Sequence, residues 1–309
     1  MKQYVTSFRA MGCEMNVWLE TDVDGDAILS EVPAWVENYE ACLSRFRPES
    51  ELSQLNARIN QWTTVSETLL ENIIAAKHAA RLTNGLYNPL VLDALTAAGY
   101  DRSFEQITNP KAANATTKAQ RLADWRDIEV DVARRSVCLP ARIDLGGVAK
   151  GWAASAIADR LAHYGPCVVD MGGDMAARGC PQGEAGWDIA IADPMSENGS
   201  VTTLILCDTN VVTSGTDYRR WQQEGKARHH LIDPHTGQPA ETDVVTVTVI
   251  HREAVVAEAY AKAIVMMGSQ AGLEWVERQW AGAALVVRSD GAALANRRFE
   301  AYQKQEVPV

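Results

Sequence analysis

From residue 135 onward the chain carries six short runs of β-type residues. They are RSVCLPARIDL (135–145), GPCVVDM (165–171), WDIAIA (187–192), VTTLILCD (201–208), DVVTVTVI (243–250) and AALVVRS (283–289). Runs of this length and composition predict strands. Apolar residues at helical spacing lie elsewhere: over 27–46 and 67–82 in the first half, and over 148–163, 254–267 and 270–280 among the strands. TNG (83–85) stops the second of these helices, with Gly85 suited to a left-handed cap. Residues 4–20 alternate loosely and read as an opening strand pair or an extended segment. Helices early and strands late predict an α+β fold rather than a regular βαβ alternation. No Pro-, Gly- or Ser-rich linker and no repeat divides the 309 residues, so 1–309 reads as a single domain of two packed lobes. The polar stretch NPKAANATTKAQ (109–120) is the best place for a surface loop.

A net charge of −11 argues against nucleic acid and against an anionic membrane surface as partners. It leaves room for a small phosphorylated ligand, because a few backbone amides hold a phosphate in an acidic protein. No segment reaches the roughly 18 continuous apolar residues of a membrane span. RAMGC, ending at Cys13, has the outline of a lipoprotein cleavage site, but the residues before it are polar and too few for a signal core. Six cysteines without a CxxC pair read as buried or idle thiols of a reducing compartment, and the expected location is cytoplasmic.

Four segments carry candidate chemistry. In IDLGGVAKGWAASAIADRL (143–161) an apolar run expected as a strand ends at Leu145, two glycines follow and an alanine-rich helix begins. That layout points amides and the positive helix end at an anion, and Lys150 adds a mobile charge. The same residues also make a plain tight turn with Lys150 in solvent, and the spacing is neither GxGxxG nor GxxxxGK[ST]. VVDMGGD (168–174) repeats the pattern of strand end and glycine pair, which suits close approach to a ligand or an ordinary hairpin. VVTSGTDYRRW (211–221) offers hydroxyls and amides beside two arginines. HHLIDPHTGQP (229–239) places His230 before an apolar pair and two consecutive turns. A histidine there is either a general base or a structural residue.

The order of these segments is more specific than any one of them. SRFRPESELSQLN (44–56), GLYNPLVLDAL (85–95), IDLGGVAKGWA, VVDMGGD, TSG, HLIDPHTGQP and the helix from 254 resemble the successive motifs of the FAD:protein FMN transferases, the ApbE-like family. The resemblance runs from about Met11 to Gly268. It implies a fold with a flavin nucleotide pocket between two lobes, FAD as substrate or bound ligand, and transfer of FMN to a Thr or Ser hydroxyl of an acceptor flavoprotein with release of AMP. It also implies Mg²⁺ on the pyrophosphate, which suits phosphoryl transfer in general. Carried over by motif, Met11 lies beside the flavin and Phe46 stacks on it. Asp144, Gly146, Gly147 and Lys150 line the pyrophosphate, and the Ala149 carbonyl is a metal ligand. Asn88, Asp170, Gly172, Gly173 and Asp174 shape the nucleotide pocket, with Thr213, Ser214 and Gly215 along its flavin and phosphate side. His230 is the base or orienter for the acceptor hydroxyl.

Four positions depart from the family pattern. Cys13 stands where threonine is usual, and Asn88 where GxxDP has aspartate. In AEAYAK (257–262) Glu258 replaces the aspartate and Lys262 the threonine whose oxygens complete the metal shell. Glutamate still ligates a metal, whereas an ammonium has donors and no acceptor. Three readings stand side by side. Lys262 takes over the metal's role, or Mg²⁺ binds through Glu258 and Ala149 with Lys262 turned aside, or the site holds flavin, as a carrier or a pyrophosphatase, without transferring it.

Overall fold

The computed structural model describes residues 1–107, 121–223, 225–279 and 282–305, so the expected loop at 109–120 lies outside the described residues. The described chain divides into two compact units. The first comprises Met1–Trp35, Lys150–Gly215 and Thr242–Val309, the second Val36–Ala149 and Thr216–Glu241.

An eight-stranded sheet organises the first unit. Its strands, Lys2–Ala10, Cys13–Thr21, Cys167–Met171, Asp174–Arg178, Thr209–Gly215, Val244–His251, Ala283–Arg288 and Ala293–Ala295, lie side by side in chain order. Every neighbouring pair is antiparallel. That is the α+β arrangement the strand-rich second half implies. The opening pair turns through Met11 and Gly12, both at positive φ (+49° and +69°), the conformation that a two-residue hairpin of matching twist demands. The helix Ala254–Met267 packs on the strands Thr209–Gly215 and Val244–His251. A hairpin of Trp187–Ala192 with Ser200–Leu206 packs its inward residues, Trp187, Ile189, Ile191, Leu204 and Leu206, on Val168, Val211, Ile250 and Leu285 of the sheet. Strict alternation in WDIAIA puts those three apolar side chains on one side.

The second unit is built mainly of helices, including Glu51–Asn56, Glu67–Leu82 and Leu92–Ala97. Ser50 and Ser66 cap the first two by accepting the amides of Ser53 and Leu69. A three-stranded sheet of Thr63–Thr64, Ser136–Cys138 and Glu129–Asp131 and two hairpins of residues 220–239 complete it.

Three local expectations are corrected. The helical pattern over 27–46 is two helices, Gly25–Leu29 and Val32–Leu43, because Pro33 suits a first turn and not a helix interior. The apolar run before the first glycine pair is not a strand. The Asn56 side chain takes the place of a neighbouring strand, donating to the Ile143 carbonyl at 2.9 Å and accepting the Ile143 amide at 2.8 Å. The cysteines are not six thiols: Cys180 and Cys207 form a disulfide with Cα atoms 5.5 Å apart. Pairing of Ala177 with Thr209 brings the end of one strand beside the start of the next, and so the two cysteines together. Cys13, Cys42, Cys138 and Cys167 remain thiols; burial pushes Cys167 up to about 12 and Cys42 up to about 11.

Candidate active site

The helix Ala254–Met267 is apolar on nearly every side, with Ala257, Ala259, Ala261, Ala263 and Ile264 fully buried. Within it sit Glu258 and Lys262, whose side chains are only 2% and 12% exposed. The spacing of four residues stacks them on one face, and the Lys262 ammonium pairs with Glu258 Oε2. Lys262 also donates to Ser214 Oγ at 3.4 Å, and Glu258 Oε1 accepts the Gly151 amide at 3.3 Å. A Cβ on residue 151 would lie 3.0 Å from Glu258 Oε1 and 3.1 Å from its Cγ, so the glycine of AKG makes room for the carboxylate. A second buried pair stands nearby in the field: Lys150, in the first turn of the helix Ala149–Leu161, bonds Asp174 of the GGD turn. Burial pushes the Glu258 carboxyl above the usual carboxylate range and the Asp174 charge adds to this, while Lys262 and Lys150 pull it back. Four segments far apart in sequence thus meet at one cluster of two acids, two ammoniums and a hydroxyl.

The neighbouring glycine turn is held from within. Asp170 Oδ1 accepts the Gly173 amide at 2.8 Å, and the Asn16 side chain bonds the same carboxylate. Burial nonetheless raises the Asp170 pKa. Gly172 has φ +72°, and a Cβ there would fall 2.7 Å from Cys13 Cβ, so the MGC and GGD turns require a glycine where they meet. Thr213 and Ser214 diverge, because consecutive strand residues point to opposite faces. Ser214 faces Lys262, whereas Thr213 Oγ1 lies 2.9 Å from Thr248 Oγ1 across the ladder. Gly215 ends the strand opposite Thr246.

In the helical unit, Phe46 is 38% exposed, with the Arg45 guanidinium 4.1 Å over its ring and Tyr100 at 5.6 Å between centroids. Arg45 also lies 4.5 Å over Tyr100 and donates from Nε to Asp144 Oδ2 at 2.6 Å. Asp144 Oδ1 accepts the Gly146 amide at 2.8 Å. Arg45, Gly151 and Tyr100 were not singled out by sequence reasoning; the first two stand inside the quoted SRF and AKG motifs. Asn88 is committed to the backbone, donating to the Ala123 carbonyl at 2.9 Å and accepting the Leu90 amide at 3.0 Å. His230 is half-buried before Leu231 and Ile232, which are buried. Its neighbour His229 is fixed, with Nε2 on the Ala240 carbonyl at 2.9 Å and Nδ1 accepting the Leu231 amide at 3.2 Å.

The profile of the ApbE family matches residues 11–287. The chain belongs to the ApbE family. An FAD:protein FMN transferase of Treponema pallidum is 30% identical over 266 residues, covering 78% of this chain and 72% of the relative. One of Vibrio cholerae serotype O1 is 26% identical over 279 residues, 86% of this chain and 81% of the relative. The crystal structure of the ApbE protein of Thermotoga maritima superposes with a TM-score of 0.86 at 25% identity, over 98% of this chain and all of that one.

ApbE resemblance implies Mg²⁺, and the residues here do not suit it. Mg²⁺ demands near-octahedral oxygen ligands. Both Glu258 oxygens are engaged, one by the Gly151 amide and one by the Lys262 ammonium, and Lys262 itself has no lone pair to give. Among the described residues no group of three His, Cys, Asp or Glu side chains could hold a metal.

Proposed function

We propose that this ApbE protein is an FAD:protein FMN transferase that moves FMN from FAD to a Thr or Ser hydroxyl of an acceptor flavoprotein. The observation that carries the reading is the buried cluster of Lys150, Asp174, Ser214, Glu258 and Lys262 beside a helix N-terminus. An apolar helix retains so much buried charge where a charged ligand is to be met. In this reading Phe46 and Met11 take the flavin ring, while Asp144, Gly146, Gly147 and Lys150 line the pyrophosphate. Asp170, Gly172, Gly173, Asp174, Thr213, Ser214 and Gly215 shape the nucleotide site, and Asn88 supports it through the backbone bonds described above.

The acceptor hydroxyl oxygen forms a bond to the phosphorus of the FMN half. The bond from that phosphorus to the AMP oxygen breaks, AMP leaves with the electron pair, and the hydroxyl proton passes to His230. Positioning and charge stabilisation supply most of the acceleration in such a transfer. No step is assigned to Mg²⁺ or to the Ala149 carbonyl. The Cys180–Cys207 disulfide argues for an oxidising compartment rather than the cytoplasm, and labelling free thiols in freshly lysed cells decides between them.

Incubation of the purified protein with FAD and a candidate acceptor, following AMP release and acceptor mass, tests the activity. An acceptor gaining the mass of FMN as AMP appears supports transfer. FMN and AMP without an adduct identify a pyrophosphatase, and FAD recovered intact defeats both enzyme readings for the acceptors tried.

A further inference from the structure

The charged pair on the helix Ala254–Met267 raises a question that flavin transfer alone leaves open. A buried ion pair is held against the desolvation of both charges, and an apolar pair of similar volume is often as stable. Retaining an ammonium there makes sense if the ammonium meets something. Lys262 is positioned by three oxygens: Glu258 Oε2, Ser214 Oγ at 3.4 Å and the Glu258 carbonyl at 3.5 Å. Its side chain keeps 12% exposure while that of Glu258 keeps 2%, so the pair is open on the lysine side. Lys150 repeats the arrangement: its side chain is 17% exposed and pairs with Asp174, whose side chain is 3% exposed. The two pairs share one field, since the Glu258 carboxyl responds to both lysines and to Asp174.

We propose that this site takes the pyrophosphate of FAD free of divalent metal, with the Lys262 ammonium, anchored on Glu258, as the fixed cation. The inference rests on the flavin-transfer reading. An ammonium has three N–H donors; the Glu258 carboxylate takes one, and the long contacts to Ser214 Oγ at 3.4 Å and the Glu258 carbonyl at 3.5 Å hold the others weakly, so a phosphate oxygen displaces one of them. A divalent cation is disfavoured there, because it would stand beside the Lys262 ammonium and compete with that ammonium and the Gly151 amide for the same carboxylate. Ser214, from the strand side, adds the one partner of the ammonium in that set that lies outside its own helix.

The test is FAD binding to the full chain, followed by flavin fluorescence in EDTA and again in excess Mg²⁺. Wild type is expected to bind FAD with affinities that agree within about two-fold, since no metal ligand is lost on chelation. The double variant Glu258→Gln/Lys262→Met leaves no buried charge unpaired and is checked for folding by circular dichroism. It is expected to bind FAD at least about ten-fold more weakly in EDTA, as loss of a charge-assisted contact predicts. Mn²⁺ titrated into the FAD complex, read by electron paramagnetic resonance, is expected to stay free. Binding of FAD that requires Mg²⁺, tight Mn²⁺ binding to the wild-type complex, or a double variant as tight as wild type would each overturn the proposal while the flavin reading survives. No FAD binding under either condition would instead defeat the flavin reading itself.

Discussion

Arg45 Nε donates to Asp144 Oδ2 at 2.6 Å, and through Asp144 Oδ1 the same link reaches the Gly146 amide at 2.8 Å. One guanidinium therefore fixes the DLGG turn while its flat face covers Phe46 and Tyr100. The Arg45 side chain is 5% exposed and that of Asp144 14%, so solvent screens the pair little. Arg45→Met leaves Asp144 without its cation and is expected to cost about 3 kcal/mol, the lower end for breaking a buried pair. Arg45→Lys keeps the charge but loses the planar stack, for an expected loss of about 1 kcal/mol. Urea midpoints of the three proteins check the order, and equal midpoints would remove Arg45 from this role.

Gly151→Ala tests the room left for Glu258. On an exposed helix this substitution stabilises by roughly 0.5–1 kcal/mol. Here the added Cβ meets the Glu258 carboxylate at 3.0 Å and its Cγ at 3.1 Å, so the side chain shifts against Lys262. The expected sign is therefore reversed, with a loss of about 1–3 kcal/mol typical of overpacking. Differential scanning calorimetry reads the sign directly, and a raised melting temperature would show that the cluster yields freely.

His229 gives a pH dependence. Burial lowers its pKa, and its Nδ1 accepts the Leu231 amide, a bond that only the neutral ring makes. The unfolded chain binds a proton near the ordinary pKa of about 6.5, while the folded ring resists until lower pH. Stability from this group is thus complete above about pH 6.5 and is lost as pH falls toward the folded value. His229→Gln is expected to flatten the stability-against-pH curve between pH 7 and 5, measured by urea unfolding at each pH. An unchanged slope would mean that other groups dominate there.

The parts legible in the sequence were those set by local pattern. ETLLENIIAAKHAARL is the helix Glu67–Leu82, stopped by Thr83 with Asn84 and Gly85 at positive φ, because spacing and turn chemistry act within a few residues. The motif order picked out Lys150, Asp174, Ser214, Glu258 and Lys262, and the structure brings these five side chains into one cluster. What escaped was set by partners distant in sequence. Ile143–Leu145 looks like a strand, but Asn56 supplies its hydrogen bonds from 87 residues away. Thr213 and Ser214 read as one motif until the strand sends them to opposite faces. Arg45 gives no local signal, since its role depends on Asp144 lying beside it in space.

The cysteine pairing was invisible for the same reason and carries the last prediction. Cys180 and Cys207 are 27 residues apart with no motif spacing, and only the register of Asp174–Arg178 against Thr209–Gly215 aligns them. The bond encloses the whole Trp187–Leu206 hairpin, whose inward face packs on the sheet at Val211 and Ile250. Closing a loop of that size removes unfolded-state entropy worth about 3.5 kcal/mol in the chain-entropy account. Reduction with a phosphine is expected to lower the unfolding free energy of wild type by an amount near this, read as a lowered urea midpoint. Cys180→Ala/Cys207→Ala is expected to start from the lowered midpoint and to ignore the reductant. A wild-type midpoint that reductant does not move, with free thiols demonstrated by labelling, would show that the bond contributes nothing to folding. The Glu258–Lys262 pair belongs to a helix on the sheet rather than to the enclosed hairpin, so FAD affinity is expected to survive reduction under native conditions.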